Sequence, residues 1–271
     1  MNNNKVYDKV LRNILDSLRS GVCPWSKSWT CSMPRSMATG KEYTGINLLT
    51  LMMRGFDDPR WLTYKHATGL GGNVRRGEKG TPCIYFKQLT IEDKQTGKDK
   101  RIPFIRSYTL FNFAQCEGID SDEDVAECCL PIASNVIDNY IDRELITRKH
   151  GDPAYIPTTD TVSMPTRQEF NSEGAYLSTY FHELTHSTGA DIRLDRGLST
   201  EFGSDKYGKE ELIAELGAAF LCGKLGIDNT VESSAAYCAG WLKKIEADPK
   251  ILVSAASKAS KASNYILGSE S

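Results

Sequence analysis

The stretch Tyr180-Phe181-His182-Glu183-Leu184-Thr185-His186-Ser187-Thr188-Gly189 decides the fold predicted for the C-terminal half of this 271-residue chain. Apolar residues recur at helical spacing ahead of it and Gly189 supplies a stop, so we predict a helix. Side chains four residues apart share one helix face, which lets His182 and His186 reach a single metal ion. Glu183 lies beside them and is the predicted general base, which takes a proton from water.

A zinc site of this kind needs a third protein ligand and keeps one position open for water. A second helix, predicted over 209–221, carries Glu211 and Glu215 four residues apart. Carboxylates beside an apolar face are costly to bury unless they bind a metal or a hydrogen-bond donor. We therefore expect one to ligate zinc and Glu215 to accept a ring N–H from a zinc-bound histidine, two solvent-facing glutamates being the alternative. His66 and His150 are further candidates for the third ligand.

The segments before this motif complete a recognisable order of elements. A helix is predicted over 132–146, followed by two short strands over 154–156 and 161–164. Helix, strands, histidine helix and glutamate helix is the order of a minimal zincin-like fold. A strand above the metal can hold an extended peptide by backbone pairing. Tyr207 is a candidate for polarising a carbonyl, with an ordinary surface tyrosine as the alternative.

The N-terminal half is predicted to be a small α+β module with basic loops and interleaved aromatic residues. An amphipathic helix opens it, a second begins near Gly45, and strands are predicted over 83–87 and 105–111. Aromatic rings stack on bases and Lys or Arg neutralises phosphates, so this mixture is typical of single-stranded nucleic-acid binding. Core tryptophans and a solvated basic turn are the alternatives. The candidate DNA-binding residues are Trp25, Trp29, Trp61, Tyr64, Lys65, Arg75, Arg76, Lys79, Tyr85 and Lys87.

The net charge of −2 hides two halves of opposite sign. Residues 1–115 hold 19 Lys/Arg and 9 Asp/Glu, a net of +10, whereas residues 116–271 hold 14 and 26, a net of −12. Such asymmetry indicates a basic module that meets a polyanion and a separate acidic module. The sign changes in the acidic stretch 117–127, so we predict one domain over 1–125 and a second over 126–271.

Composition excludes several protein classes. The chain is 40% hydrophobic and 25% charged, as in ordinary globular proteins, and has no apolar run long enough to span a membrane. The polar N-terminus lacks a signal peptide, and the eight cysteines contain no CxxC pair, so we expect a cytoplasmic protein with reduced thiols. The Ala/Ser/Lys-rich segment 254–263 is predicted to be a surface helix or a loose tail.

Motifs from both halves resemble the ArdC family of antirestriction proteins, which is also similar to the N-terminal region of TraC-type plasmid primases. The resemblance covers nearly the whole chain, and several motifs in order are far more specific than HExxH alone. The N-terminal motifs are Pro24-Trp25, Thr44-Gly45-Ile46-Asn47, Trp61-Leu62-Thr63-Tyr64, Val74-Arg75-Arg76-Gly77-Glu78-Lys79-Gly80 and Phe111-Asn112. The C-terminal motifs are Phe181-His182-Glu183-Leu184-Thr185-His186-Ser187-Thr188-Gly189 and Glu210-Glu211-Leu212-Ile213-Ala214-Glu215.

The resemblance implies a single-stranded-DNA-binding N-terminal domain, a zinc metallopeptidase-like C-terminal domain, carriage on mobile elements and protection of incoming DNA from restriction. In the similar Glu-zincins, the first carboxylate of E-x-x-A-[DE] binds zinc and the second holds a ligand histidine. Carried over, this makes Glu211 the zinc ligand and Glu215 the partner of a histidine. Residue 210 is also a glutamate, so an assignment shifted by one residue, with Glu210 as the zinc ligand, stays open.

We therefore predict an α+β antirestriction protein that binds single-stranded DNA and carries a zinc-dependent peptidase site. Its predicted partners are single-stranded DNA, with duplex DNA as an alternative, and an unidentified protein or peptide substrate, but no membrane. The alternative function is a DNA-occupying antirestriction factor whose zinc site is structural or vestigial. A metal-dependent nuclease is disfavoured because a module of charge −12 repels a polyanion.

Overall fold

Both halves of the described chain contain helices and strands, which confirms the predicted α+β class. The computed structural model describes residues 3–26, 33–92, 99–120, 132–198, 205–228 and 235–269. The α-helices within these ranges are α1 (Asn3–Arg19), α2 (Gly45–Met52), α3 (Tyr64–Gly69), α4 (Ala133–Glu144), α5 (Glu173–Ser187), α6 (Asp205–Lys224), α7 (Ala235–Ala247) and α8 (Lys250–Leu267). The strands are β1 (Arg35–Ser36), β2 (Arg60–Leu62), β3 (Asn73–Val74), β4 (Thr81–Glu92), β5 (Asp99–Asn112), β6 (Cys116–Glu117), β7 (Thr147–His150), β8 (Ala154–Ile156) and β9 (Thr161–Met164).

A long hairpin dominates the N-terminal half. Strands β4 and β5 pair antiparallel, from Thr81 opposite Leu110 to Glu92 opposite Asp99. They belong to a four-stranded sheet of order β1-β2-β5-β4, in which β2 covers only the base of β5. The outer part of the hairpin therefore has no further strand beside it among the described residues.

Helix α2 is tied to this hairpin by one side chain. The Asn47 amide donates a hydrogen bond to the carbonyl oxygen of Ile84 at 2.8 Å, and the Ile84 N–H donates to Asn47 Oδ1 at 2.7 Å. The side chain thus completes both backbone groups of a β4 residue as a neighbouring strand does. This gives a structural reason for the asparagine in the Thr44-Gly45-Ile46-Asn47 motif.

A three-stranded sheet of order β7-β9-β8 lies in the C-terminal half. Strands β8 and β9 have the bounds predicted from the sequence, and they pair antiparallel. Strand β7 was not predicted because its four residues, Thr147–His150, are polar and exposed, so they carry no alternation of apolar and polar side chains. It pairs parallel with β9 and leaves β8 as the opposite edge of the sheet.

The two halves of the chain share one hydrophobic core. Helix α1 packs against α7 and α2 packs against α8, so apolar residues of both halves belong to one buried cluster. Trp25 meets Trp241 edge to face, with ring centroids 6.4 Å apart. The predicted boundary at 125/126 falls in residues 121–131, outside the described ranges, and the division into two domains stays a prediction.

Helix α8 corrects the prediction for segment 254–263. The segment is part of a buried helix that packs against α6 and α2, and most of its small residues are inaccessible. Alanine and serine let neighbouring backbones approach: a Cβ on Gly45 would lie 3.4 Å from the Ser257 Cα. The Gly45 N–H donates to Ser260 Oγ at 2.7 Å. The low hydrophobicity of segment 254–263 suggested exposure to solvent, but its small side chains allow close packing against other helices.

Two class predictions concern membranes and thiols. Within the described ranges, each helix is too short or too polar to cross a bilayer. The cysteines described there are not joined in disulfides; they are Cys23, Cys83, Cys116, Cys222 and Cys238.

Candidate metal centre

Two helices that pack closely bring the predicted metal ligands together. His182 and His186 lie one turn apart on α5, and Glu211 lies on α6. The helices approach so closely that a Cβ on Gly217 would lie 2.5 Å from Thr185 Cγ2, which only a glycine tolerates. The ligand atoms of His182, His186 and Glu211 all lie within 4.8 Å of one another. Among the described residues, these three form the group that can hold a metal ion.

The spacing of these atoms suits a tetrahedral ion. The two histidine Nε2 atoms are 3.1 Å apart, and the Glu211 oxygens lie 3.5 Å from His182 Nε2 and 3.6 Å from His186 Nε2. Ligand bonds of about 2.0–2.1 Å at tetrahedral angles separate ligand atoms by about 3.3–3.4 Å. Two imidazole nitrogens and a carboxylate that converge on one point are ligand types that divalent metals such as zinc take in proteins. The three residues therefore fit a divalent metal.

Neither alternative histidine joins this group. His66 lies in α3 of the N-terminal half, and His150 ends β7. Of the two adjacent glutamates, Glu211 faces the Nε2 atoms, whereas Glu210 Oε1 lies 3.5 Å from His186 Nδ1. The geometry thus favours the register in which Glu211 is the ligand.

Glu210 has a contact that the sequence did not predict. Its carboxylate pairs with the Arg196 guanidinium, with Nη2–Oε1 at 2.5 Å and Nε–Oε2 at 3.0 Å. The sequence placed Glu215, rather than Glu210, beside a histidine. Glu215 acts on His182 through its charge, and its hydrogen bond to a histidine stays a prediction. The adjacency of two glutamates was the signal that could have identified Glu210.

Hydrogen bonds and charges within the cluster shift the pKa values of His182 and Glu211 in opposite directions. Burial lowers the pKa of His182, but the hydrogen bond to Glu211 and the charges of Glu215, Glu183 and Glu211 outweigh it and raise this pKa above its ordinary value. Burial raises the pKa of Glu211, but the two histidines and Tyr207 lower it below the ordinary value. The cluster thus holds Glu211 as a carboxylate, the form that binds metal.

An open cavity of about 470 Å³ lies over this cluster. Glu183 is 8% exposed and lines it, so the predicted general base faces the same space as the ligands. Burial and the hydrogen bond to Glu211 raise the pKa of Tyr207 to about 12, which keeps its hydroxyl protonated at neutral pH. The cavity is lined by Pro153, Ala154, Tyr155, Pro157, His182, Glu183, His186, Leu198, Tyr207, Glu210 and Glu211.

The edge strand β8 forms one wall of the cavity. Ala154 and Tyr155 line it, and among the described residues the strand pairs with β9 alone, which leaves its other edge unpaired. Behind the wall, Arg193 is fully buried and holds both oxygens of Asp160 at 2.8 and 2.7 Å. It also pairs with Glu144 at 3.0 Å. This Arg193 clasp fixes the loop after α5 against α4 and against the turn between β8 and β9.

Two of the three predicted DNA-binding tryptophans are buried. Trp25 and Trp61 are 1% and 2% exposed, and Trp61 packs edge to face on Phe56. Their burial does not support stacking on bases, and the core alternative describes both of them. Trp29 lies outside the described residues.

The other predicted DNA-binding residues lie at the surface. Tyr64 and Tyr85 are 54% and 49% exposed, and Phe86, which the sequence did not single out, is 57% exposed. Arg75 donates to the backbone carbonyls of Ala114 and Cys116, so its guanidinium serves the fold. The remaining exposed cations are Lys65, Arg76, Lys79 and Lys87.

Two family models match the two halves of the chain. The N-terminal domain of anti-restriction factor ArdC matches residues 4–111, and a zincin-like metallopeptidase matches residues 136–258. The crystal structure of the antirestriction ArdC protein from plasmid R388 superimposes with a TM-score of 0.78 at 34% identity. That match covers 98% of this chain and 99% of the other. A Mn(II)-bound structure of that protein gives a TM-score of 0.77 at 33% identity and covers 97% of each chain.

Curated relatives extend the likeness. Two Escherichia coli proteins named DNA primase TraC are 36% and 34% identical over 97% of this chain. This chain spans only 27% and 20% of their lengths. An uncharacterised protein of Sinorhizobium fredii, y4eC, is 31% identical over 98% of this chain and 92% of its own length.

Proposed function

Since the chain belongs to the ArdC family of antirestriction proteins, we propose that it protects incoming DNA by binding single strands and cleaving a protein. The basic N-terminal domain, 1–125, is the proposed DNA-binding part, and the C-terminal domain, 126–271, is the proposed zinc peptidase. Action on DNA that enters a cell on a mobile element implies a cytoplasmic protein. The convergence of His182, His186 and Glu211 under a cavity walled by an edge strand carries the peptidase proposal.

Zinc is the proposed metal. Two imidazoles and one carboxylate with an open fourth position are the usual ligands of catalytic zinc. Sites of nitrogen and oxygen ligands bind zinc more tightly than manganese, so the same residues accept Mn²⁺ less tightly. Titration of metal-free protein should give one zinc ion per chain and displacement of Mn²⁺ by Zn²⁺. A chain that takes up neither ion contradicts the site.

The proposed reaction is hydrolysis of a peptide bond. When bound, zinc supplies a Lewis acid that lowers the pKa of water and polarises a carbonyl. Glu183, buried at the cavity wall, takes the proton from the attacking water and passes it to the leaving amine. The Tyr207 hydroxyl, protonated at neutral pH and hydrogen-bonded to Glu211 in this structure, transfers its hydrogen bond to the carbonyl oxygen as negative charge develops there. Strand β8 offers its unpaired edge to an extended peptide.

Substitution of Glu183 by glutamine tests this role. Both proteins should bind zinc, but only the wild type should cleave a disordered test polypeptide such as reduced, denatured casein. In cells, the variant should lose protection of unmodified DNA against a restricting host. If Glu183→Gln binds zinc and keeps full protection, the DNA-occupying alternative replaces the peptidase proposal.

The outer part of the β4–β5 hairpin is the proposed centre of the DNA surface. In the hairpin Tyr85 lies opposite Arg106 and Lys87 lies opposite Phe104, so these four side chains share one face, on which Tyr85 and Lys87 are exposed. The Arg106 guanidinium lies 4.7 Å from the ring centroid of Phe104. Aromatic faces alternate there with cations, as in surfaces that stack bases and neutralise phosphates.

Full-length protein is the right material for the DNA test because the two halves share a core. Affinity for a single-stranded oligonucleotide should fall steeply with salt. Alanine at Tyr85 should weaken binding by about 1–3 kcal/mol for its stacked base, or roughly 5- to 150-fold. Ile192→Ala removes a more exposed apolar side chain from the C-terminal half and should leave binding unchanged. Binding that ignores salt and the Tyr85 variant contradicts the surface.

A further inference from the structure

A buried pair of charges lies beneath one of the ligand histidines. Arg196 is 4% exposed and Glu210 is 13% exposed, and the guanidinium binds both carboxylate oxygens. The same guanidinium donates to the Thr185 carbonyl oxygen at 2.8 Å and to Thr188 Oγ1 at 2.7 Å. Arg196 therefore connects the end of α5 to Glu210 of α6 through bonds of fixed direction.

The pair is aimed at the far side of the His186 ring. Glu210 Oε1 lies 3.5 Å from His186 Nδ1, while Nε2 of the same ring faces His182 Nε2 at 3.1 Å. A neutral imidazole carries one N–H and one lone pair, and a carboxylate beside one nitrogen draws the proton there. A proton on Nδ1 leaves the Nε2 lone pair free to bind a metal.

We propose that Arg196 and Glu210 act as one positioning unit that sets the tautomer and orientation of His186 for metal binding. This inference rests on the metal site of the proposed function and adds two residues to it. Adjacent helical side chains point about 100° apart, so Glu210 and Glu211 serve opposite nitrogens of the site. Glu211 faces Nε2 and Glu210 faces Nδ1.

Arg196 gives the unit its selectivity. Glu183, Glu210 and Glu211 all line one cavity, and an unpaired Glu210 would repel its neighbours or turn toward the metal. The guanidinium neutralises Glu210 and fixes its direction, because its planar fork matches both carboxylate oxygens. Lysine offers one point charge and cannot hold the two oxygens, Thr185 and Thr188 together.

Zinc affinity of full-length variants tests the unit. Glu210→Gln, Arg196→Met and the double variant are titrated with zinc in competition with a chromogenic chelator. We expect each single variant to bind zinc about 10- to 100-fold more weakly. The double variant should lose no more than the larger single loss, because the two residues act through each other. Glu173→Gln, which changes an exposed carboxylate at the start of the histidine helix α5, is the matched control and should retain wild-type affinity.

A spectroscopic measurement separates positioning from general loss of structure. Long-range ¹⁵N–¹H spectra of imidazole-labelled, zinc-loaded protein should show an Nδ1 proton on His186 in the wild type and its exchange or loss in Glu210→Gln. Arg196→Lys should recover only part of the affinity. Folded Glu210→Gln protein with zinc affinity within twofold of wild type overturns the inference. Wild-type protein without zinc affinity instead overturns the metal site itself.

Discussion

Alanine at Gly217 tests whether helix packing sets the geometry of the metal site. Gly217 lies on α6 where it crosses the HExxH helix, and a Cβ there would meet Thr185 Cγ2 at 2.5 Å and Oγ1 at 2.6 Å. Thr185 is fully buried, and its hydroxyl donates to the Phe181 carbonyl at 2.7 Å, so it has little freedom to move. The added methyl group must therefore push the helices apart.

The expected magnitude follows from the overlap. Ordinary carbon contacts are about 3.5–4.0 Å, so the methyl group is roughly 1 Å too close. Overpacking of this kind costs about 1–3 kcal/mol, whereas alanine gains about 1 kcal/mol over glycine in an exposed helix interior. Glu211 lies six residues away, about 9 Å along α6, and a shift of the helix moves it relative to the histidines. Since ligand distances tolerate about 0.2 Å, zinc affinity should fall about tenfold or more.

Gly240 provides the matched control. It lies within α7, and nothing lies within 4 Å of a Cβ placed there, so Gly240→Ala should stabilise the protein. Urea denaturation of metal-free protein should place Gly217→Ala about 1–3 kcal/mol below Gly240→Ala in free energy of unfolding. Adding Thr185→Ala to Gly217→Ala should recover part of the loss. If Gly217→Ala matches Gly240→Ala in stability and matches wild type in zinc affinity, helix spacing does not govern the site.

Four further predictions concern stability. Arg193→Met leaves Asp160 and Glu144 without their buried cation and should lower the free energy of unfolding by about 3–5 kcal/mol in urea titrations. Hydrogen bonds from Arg193 hold the pKa of Asp160 below its ordinary value. The free energy of unfolding of the wild type should therefore fall as the pH drops below about 4 and through that lowered pKa. Asp160→Asn should flatten this part of the dependence of stability on pH. Asn47→Ala leaves two backbone groups of a β4 residue unpaired and should cost about 1–3 kcal/mol by circular dichroism, and a loss below 0.5 kcal/mol would show that water replaces the amide. Zinc at 100 times its dissociation constant should add about 2.7 kcal/mol of stability, EDTA should reverse the gain, and His182→Ala should abolish it.

Local patterns predicted much of the site because its chemistry is compact in sequence. The two histidines and Glu183 lie within one helical turn, and helical periodicity alone places them on or beside one face. The strands 154–156 and 161–164 were also predicted, since β-branched and aromatic residues alternate between prolines. Such features need no knowledge of distant contacts.

Long-range packing set the features that were missed. Trp25 is buried because Trp241, more than 200 residues later, covers it, and no local pattern reports that contact. Segment 254–263 is buried because α2 and α6 approach its small side chains. Glu210 meets His186 through a partner, Arg196, that lies on a different segment. In each case the environment of a residue depends on an element far along the chain.

The common core of the two halves has a consequence for how the chain can be divided. Because α1 and α2 bury their apolar faces on α7 and α8, each half covers part of the other's interior, in addition to the buried cluster that it forms by itself. A single backbone cut between residues 120 and 132 should therefore leave two fragments that stay associated and can reassemble when co-expressed. Exchange of one half for that of a relative would succeed only when the complementary helix surfaces are exchanged with it. The shared cluster thus makes each of the two parts that separate family models describe depend on the other for its packing.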